Sequence, residues 1–192
     1  MAALIVFFVL LASPPTIVAH SNAAQLAQPL LLEANQGEER QRRVPAKGAG
    51  SIASSSFILK VDSRNGGASA LMLLTERIKP EAVIPKHRHL HQDEIVVIEH
   101  GTVHAVVGNR AGDVHDGGTI FIPHNTWVTI KNVGTTTIDV LAFFNGSDFD
   151  TYMRCASVPK GQRVTVMTAS QRLACARAGG YQLAALQSKP QR

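Results

Sequence analysis

Seven of the chain's eight histidines fall between residues 87 and 124, and three of them form the run His87-Arg88-His89-Leu90-His91. In an extended strand, side chains at i and i+2 point to one face, so His87 and His89 can converge on a single point without any loop distortion. Imidazole nitrogens are good ligands for iron, manganese, nickel, copper or zinc. Glu94, five residues beyond His89, supplies a carboxylate that adds charge neutralisation. Two histidines and a carboxylate on one side of a metal form the facial arrangement of non-haem iron oxygenases, which leaves open positions for oxygen and substrate. The chemistry to expect is therefore that of a divalent transition metal held by His87, His89 and Glu94, with Glu94 also able to act as a general base.

Such a site needs strands, and the chain provides them. From Ser56 onward, short β-rich runs alternate with turn residues: Phe57–Val61, Ala70–Ile78, Ala82–Ile84, Glu94–Glu99, Thr102–Val107, Thr119–Ile122, Trp127–Lys131 and Ile138–Phe144. Breakers such as Asn65-Gly66-Gly67, His100-Gly101, Gly108-Asn109 and Asp116-Gly117-Gly118 separate them. Turn signals at roughly ten-residue spacing predict an all-β sandwich or barrel. A doubly wound α/β fold is excluded, because no helical pattern precedes residue 147. Beyond it, Phe149–Cys155 and Thr168–Ala178 are expected to be short helices, the second opened by a Thr168/Gln171 capping box and stopped by Gly179-Gly180.

The spacing also resembles the first motif of the cupin family. Pro85-Lys86-His87-Arg88-His89, four residues, Glu94, six residues and Gly101 match its HxH, Glu and Gly pattern, with Glu81 standing where the family usually has Gly. Gly117, Pro123 and Asn132 match the second motif, but Asn125 replaces its second Gly and Val128 its metal-binding His. The resemblance covers roughly residues 57–145. It implies a double-stranded β-helix, or jelly-roll barrel, with the metal inside, and small-molecule substrates of the kind cupin dioxygenases handle. It also implies a homodimer, which the apolar Ala70–Ile78 run independently suggests, since so apolar a strand is unsuited to a solvent-facing edge. Two other readings remain open: a non-catalytic module binding a small ligand or sugar, and a sugar isomerase or epimerase. His104 or His124 could replace the ligand lost at Val128. His91 is expected in a loop or behind the ligands, and His100 and His115 beside exposed turns. Trp127 is expected in the core rather than the pocket, and Phe121, Phe143 and Phe144 in the core.

The flanks complete the organisation. The apolar run Ala2–Ala12, followed by Pro14-Pro15 and small residues, has the length of a signal-peptide core and is too short to span a bilayer. This predicts an exported protein, periplasmic or secreted, with a signal peptide at 1–24. A flexible leader is expected at 25–55, the barrel at 56–146, a helical extension at 147–186 and a disordered tail at 187–192. The net charge of +5 draws on Arg40, Arg42, Arg43 and Lys47 in the leader. No aromatic residues interleave there, which argues against nucleic acid and for solvated flanks. Cys155 and Cys175 are as compatible with a disulfide, which export would permit, as with buried thiols.

Overall fold

A computed structural model describes residues 27–45 and 56–186. The expected signal peptide, residues 25–26 and 46–55 of the expected leader and the 187–192 tail lie outside the described residues.

Strands are numbered in chain order. A seven-stranded antiparallel sheet contains β1 (Glu38–Arg42), β3 (Ser56–Val61), β4 (Met72–Ile78), β6 (Glu94–His100), β9 (Thr119–Ile122), β11 (Ile138–Phe144) and β12 (Ser157–Pro159). Their spatial order is β12-β1-β3-β4-β11-β6-β9. A second sheet contains β5 (Val83–His89), β7 (Val103–Val107), β8 (Arg110–Val114), β10 (Val128–Asn132) and β14 (Tyr181–Leu183), ordered β14-β5-β10-β7-β8. The short strands β2 (Val44–Pro45) and β13 (Val166–Met167) pair in parallel. From β4 to β11 the chain passes back and forth between the two large sheets, which is the jelly-roll barrel anticipated from the sequence.

Side-chain alternation builds the core. On β4, Met72, Leu74, Glu76 and Ile78 are buried, and on β11, Ile138, Val140, Ala142 and Phe144. Glu94 is in phase with the buried Val96 and Ile98 on β6, so the strand that supplies the barrel wall also turns a carboxylate inward. The same alternation corrects two expectations. Phe121 and Phe143 are not core residues; they are 57% and 36% exposed, because Ile120, Ile122 and Phe144 take the inward positions. They also pair across strands, Phe121 with Ile95, Ile95 with Phe143, and Phe143 with Leu73, forming an apolar row on the outer face. Strand β4 is internal, between β3 and β11, so its apolar character reflects burial rather than an unprotected edge.

The leader is also not uniformly flexible. Glu38, Arg40 and Arg42 share one face of β1, and each charge finds a partner. Arg40 pairs with Glu38 and donates to Ser157 Oγ at 2.7 Å, while Arg42 reaches both oxygens of Glu76 at 2.8 and 2.9 Å. The basic residues read as a solvated flank are thus partly packed, because strand pairing with β3 carries Arg42 to Glu76, distant in sequence, while Arg40 pairs with Glu38 on its own strand. Arg154 closes the arrangement by pairing with Glu38 and, at 2.6 Å, with the fully buried Asp62.

The two helices form as expected. Helix α1 (Asp148–Cys155) and helix α2 (Ala169–Ala178) are present, the latter with a complete Thr168/Gln171 capping box. Cys155 and Cys175 join them in a disulfide with Cα atoms 5.5 Å apart. Among the described residues, no helix is long and apolar enough to cross a membrane.

Both positions where family glycines are replaced adopt left-handed backbone, Glu81 with φ 61° and Asn125 with φ 59°. Asn tolerates this region, but Glu carries the Cβ penalty. At Gly101, φ is 106° and an added Cβ would lie 2.0 Å from Ile138 Cγ2. Glu81→Gly should therefore raise the unfolding free energy by about 0.5–1 kcal/mol, whereas Gly101→Ala should lower it by about 2 kcal/mol or more. Urea denaturation tests both signs, and a loss of stability in Glu81→Gly would contradict the assignment of strain.

Candidate metal centre

His87 and His89 project inward from the end of β5, and Glu94 from the start of β6. One ligand atom from each lies within 4.8 Å of the others, and all three residues are buried. His89 Nε2 is 3.3 Å from Glu94 Oε2. That is close to the separation of two neighbouring ligands each about 2.1 Å from a shared ion. His87 Nδ1 lies 2.7 Å from the Pro85 carbonyl oxygen. A carbonyl can only accept, so Nδ1 carries the proton and Nε2 keeps its lone pair. This is the orientation by a backbone carbonyl that metal-binding histidines commonly show.

The surroundings make these groups costly to leave alone. His89 Nδ1 and Glu94 Oε2 are buried with no hydrogen-bond partner among the described residues. The rings of Phe144 and Phe149 stand 5.1 and 4.4 Å from His89, and Tyr181 lies 5.1 Å from His87 and 5.3 Å from His89. Burial, reinforced by the neighbouring His89, lowers the His87 pKa to about 4 although the Glu94 charge works the other way. Burial also pushes the Tyr181 hydroxyl well above its ordinary pKa, with Tyr152 adding to the shift. His87 is therefore held neutral at the ligand-competent end of its titration, and Tyr181 keeps its proton. Two inward imidazoles and a carboxylate with an unserved oxygen fit a divalent transition metal.

The vacancy in the family pattern is real. Val128 is directly opposite His87 in the β10–β5 pairing and is buried. Directly paired residues share a face, so an apolar side chain occupies the inward position expected of the last ligand. Neither proposed substitute takes its place. His104 is out of phase with the buried Val103 and Ala105, is exposed, and bonds Asp113 at 2.7 Å. His124 is exposed and lies 2.9 Å from Asp93. His91, His100 and His115 are exposed, as their loop and turn positions imply. Trp127 is half-buried and belongs to neither core nor pocket; it lies beneath Arg88, whose guanidinium is 4.6 Å from the ring centre.

The centre opens on a cavity of about 80 Å³ whose wall extends beyond the barrel strands. Arg42 comes from β1, Glu76 from β4, Phe149 and Tyr152 from α1, Arg172 from α2 and Tyr181 from β14. None of these was expected at the site from the sequence, where Arg42 was read as part of a solvated flank. Tyr181 reaches the site because β14 pairs with β5, setting Tyr181 opposite His89 and Leu183 opposite His87. The i, i+2 pattern of Tyr181 and Leu183 was the only local signal for it.

A cupin domain model matches residues 74–144, the span from β4 to β11 that holds all three inward groups. The barrel of this chain is a cupin domain. Among solved structures, a sugar phosphate isomerase of the cupin superfamily from Silicibacter pomeroyi is 20% identical, with TM-score 0.52 over 62% of this chain and 77% of that chain. An oxalate oxidase structure is 19% identical, with TM-score 0.45 over 53% of this chain. The match spans about half of the oxidase, 55% of its length. A structure from a study of DMSP lyases is 18% identical, with TM-score 0.43 over 47% of each chain. At these identities the likeness is one of fold. No curated protein sequence matches the chain.

The depressed His87 pKa has a consequence for the metal-free protein. Between pH 6.5 and about 4, the unfolded chain binds a proton at His87 that the folded chain does not. Stability present above pH 6.5 is therefore lost as pH falls toward 4, by up to about 3 kcal/mol. Urea unfolding of chelator-treated protein at about pH 7 and about pH 4.5 should show the loss, and His87→Gln should reduce it. An unchanged pH dependence in His87→Gln would contradict the assignment.

Proposed function

We propose that this cupin domain binds a divalent transition metal through His87, His89 and Glu94 and uses it on a small organic substrate, with dioxygenation as the reaction class. The observation that carries the reading is the convergence of three inward ligands, two of them with unserved buried atoms, beside a cavity. An ion held there would supply Lewis acidity and, for iron, manganese, nickel or copper, redox chemistry.

The chain's own groups prepare that site. The Pro85 carbonyl fixes the His87 tautomer, and the aromatic wall keeps bulk water away. Glu94 can serve as a ligand and also take a proton from substrate. A second reading, a non-catalytic module for a small ligand or sugar, draws its support from Val128, since loss of one ligand weakens the site.

Two further parts of the proposal concern context. Export by the segment before residue 25 is supported by the Cys155–Cys175 disulfide, because such bonds persist mainly in oxidising compartments. A homodimer is supported by the outer row of Phe121, Ile95, Phe143 and Leu73, which a second copy of the same sheet face would cover. Light scattering should give a dimer at micromolar concentration, and Phe121→Glu with Ile95→Lys should give a monomer. A wild-type monomer would refute this part.

Metal analysis tests the main reading. His87→Ala or His89→Ala should lower metal affinity at least ten-fold, because a three-ligand site has no spare bond. Val128→His, placed on the inner face opposite His87, should raise affinity. If wild type and His87→Ala hold equally little metal, the binding-module reading replaces the enzymatic one.

A further inference from the structure

The cavity beside the metal centre holds a second polar group that the metal reading does not use. Arg42 enters it from β1, outside the span matched to the cupin domain. Its side chain is 15% exposed, and its guanidinium lies over the Phe57 ring, 4.8 Å from the centroid. Nη2 serves both oxygens of Glu76, while Nη1 has Met153 Sδ at 3.6 Å, a weak acceptor. Nε is buried and has no partner among the described residues. A guanidinium N–H held out of water without an acceptor is an unmet demand for one.

We propose that the cavity takes a small organic acid, with a carboxylate of the ligand accepting from Arg42 while the rest of the molecule faces the metal centre. Charge favours an anion there. Arg42, Arg43 and Arg172 line the cavity against only two carboxylates, Glu76 and Glu94, before any metal cation is added. Arg43 stands toward solvent, bonded to Thr165 Oγ1 at 3.0 Å. Size limits the ligand as well. A volume of about 80 Å³ is several water molecules' worth, which suits an acid of about four to eight non-hydrogen atoms. The aromatic and aliphatic remainder of the wall accepts a short carbon frame. Guanidinium planarity matches carboxylate better than it matches a hydroxyl or amide, so the charged acid is preferred to its neutral analogue.

The proposal names the substrate class of the metal site proposed above, but its arginine arm can be tested separately. The probes are malonate and its uncharged isostere malonamide, titrated calorimetrically into zinc-loaded and into chelator-treated full-length protein. Malonate should bind at least ten-fold more tightly than malonamide in both forms. Arg42→Gln should weaken malonate at least ten-fold with zinc content unchanged, and Glu76→Gln, which frees Nη2 and removes a repelling charge, should tighten it. Since Arg42→Gln strands a buried Glu76, the double variant Arg42→Gln/Glu76→Gln removes the pair together and should show the same loss. Malonate binding by the folded double variant at wild-type strength would overturn the proposal, as would equal affinities for malonate and malonamide. Arg42-dependent malonate binding in a protein that takes up no zinc would support the acid site while removing the metal reading.

Discussion

Two imidazoles and a carboxylate held inside an apolar barrel with too few partners are the constraint on which the site depends. Burying such groups unserved costs free energy, and in this protein the cost appears as a His87 held neutral and as orphaned atoms on His89 and Glu94. The barrel enforces the arrangement through strand geometry. His87 and His89 are two residues apart on one strand, and Glu94 is in phase with Val96 and Ile98 on the next. None can turn to solvent without taking core residues with it.

The segments around the barrel complete the pocket rather than decorate it. Strand β1 brings Arg42, and the region after β11 brings Phe149, Tyr152, Arg172 and Tyr181. These pieces are fastened to each other. Arg154 on α1 pairs with Glu38 on β1, and the Cys155–Cys175 disulfide ties α1 to α2. Closing a loop of this length contributes about 3 kcal/mol by restricting the unfolded chain. The charged pairs set orientation more than they add net stability, because buried ions also pay for desolvation.

Much of this was legible in the sequence where a local period carries the information. Ile138–Phe144 is a strand with the expected bounds, because alternation and flanking turns mark it on both sides. The triad was legible for the same reason. Strand β8 was not, since Arg110–Val114 is a mostly exposed hairpin arm without an apolar face. Strand β1 was missed because its inward residues are charged, and only partners across the fold explain their burial. The Arg42–Glu76 pair spans 34 residues, and Tyr181 comes to His89 only through strand pairing, so neither leaves a local trace. Phe121 and Phe143 misled because composition alone does not reveal the phase of a strand.

The most direct measurement of the central claim is an anomalous difference map from crystals soaked in zinc or manganese, recorded above and below the metal's absorption edge. The account predicts one strong peak inside the barrel, about 2.0–2.3 Å from His87 Nε2, a His89 ring nitrogen and a Glu94 oxygen, and not bonded to Val128. A map with no peak there, or with metal only at the exposed histidines His104 and His124, would contradict it.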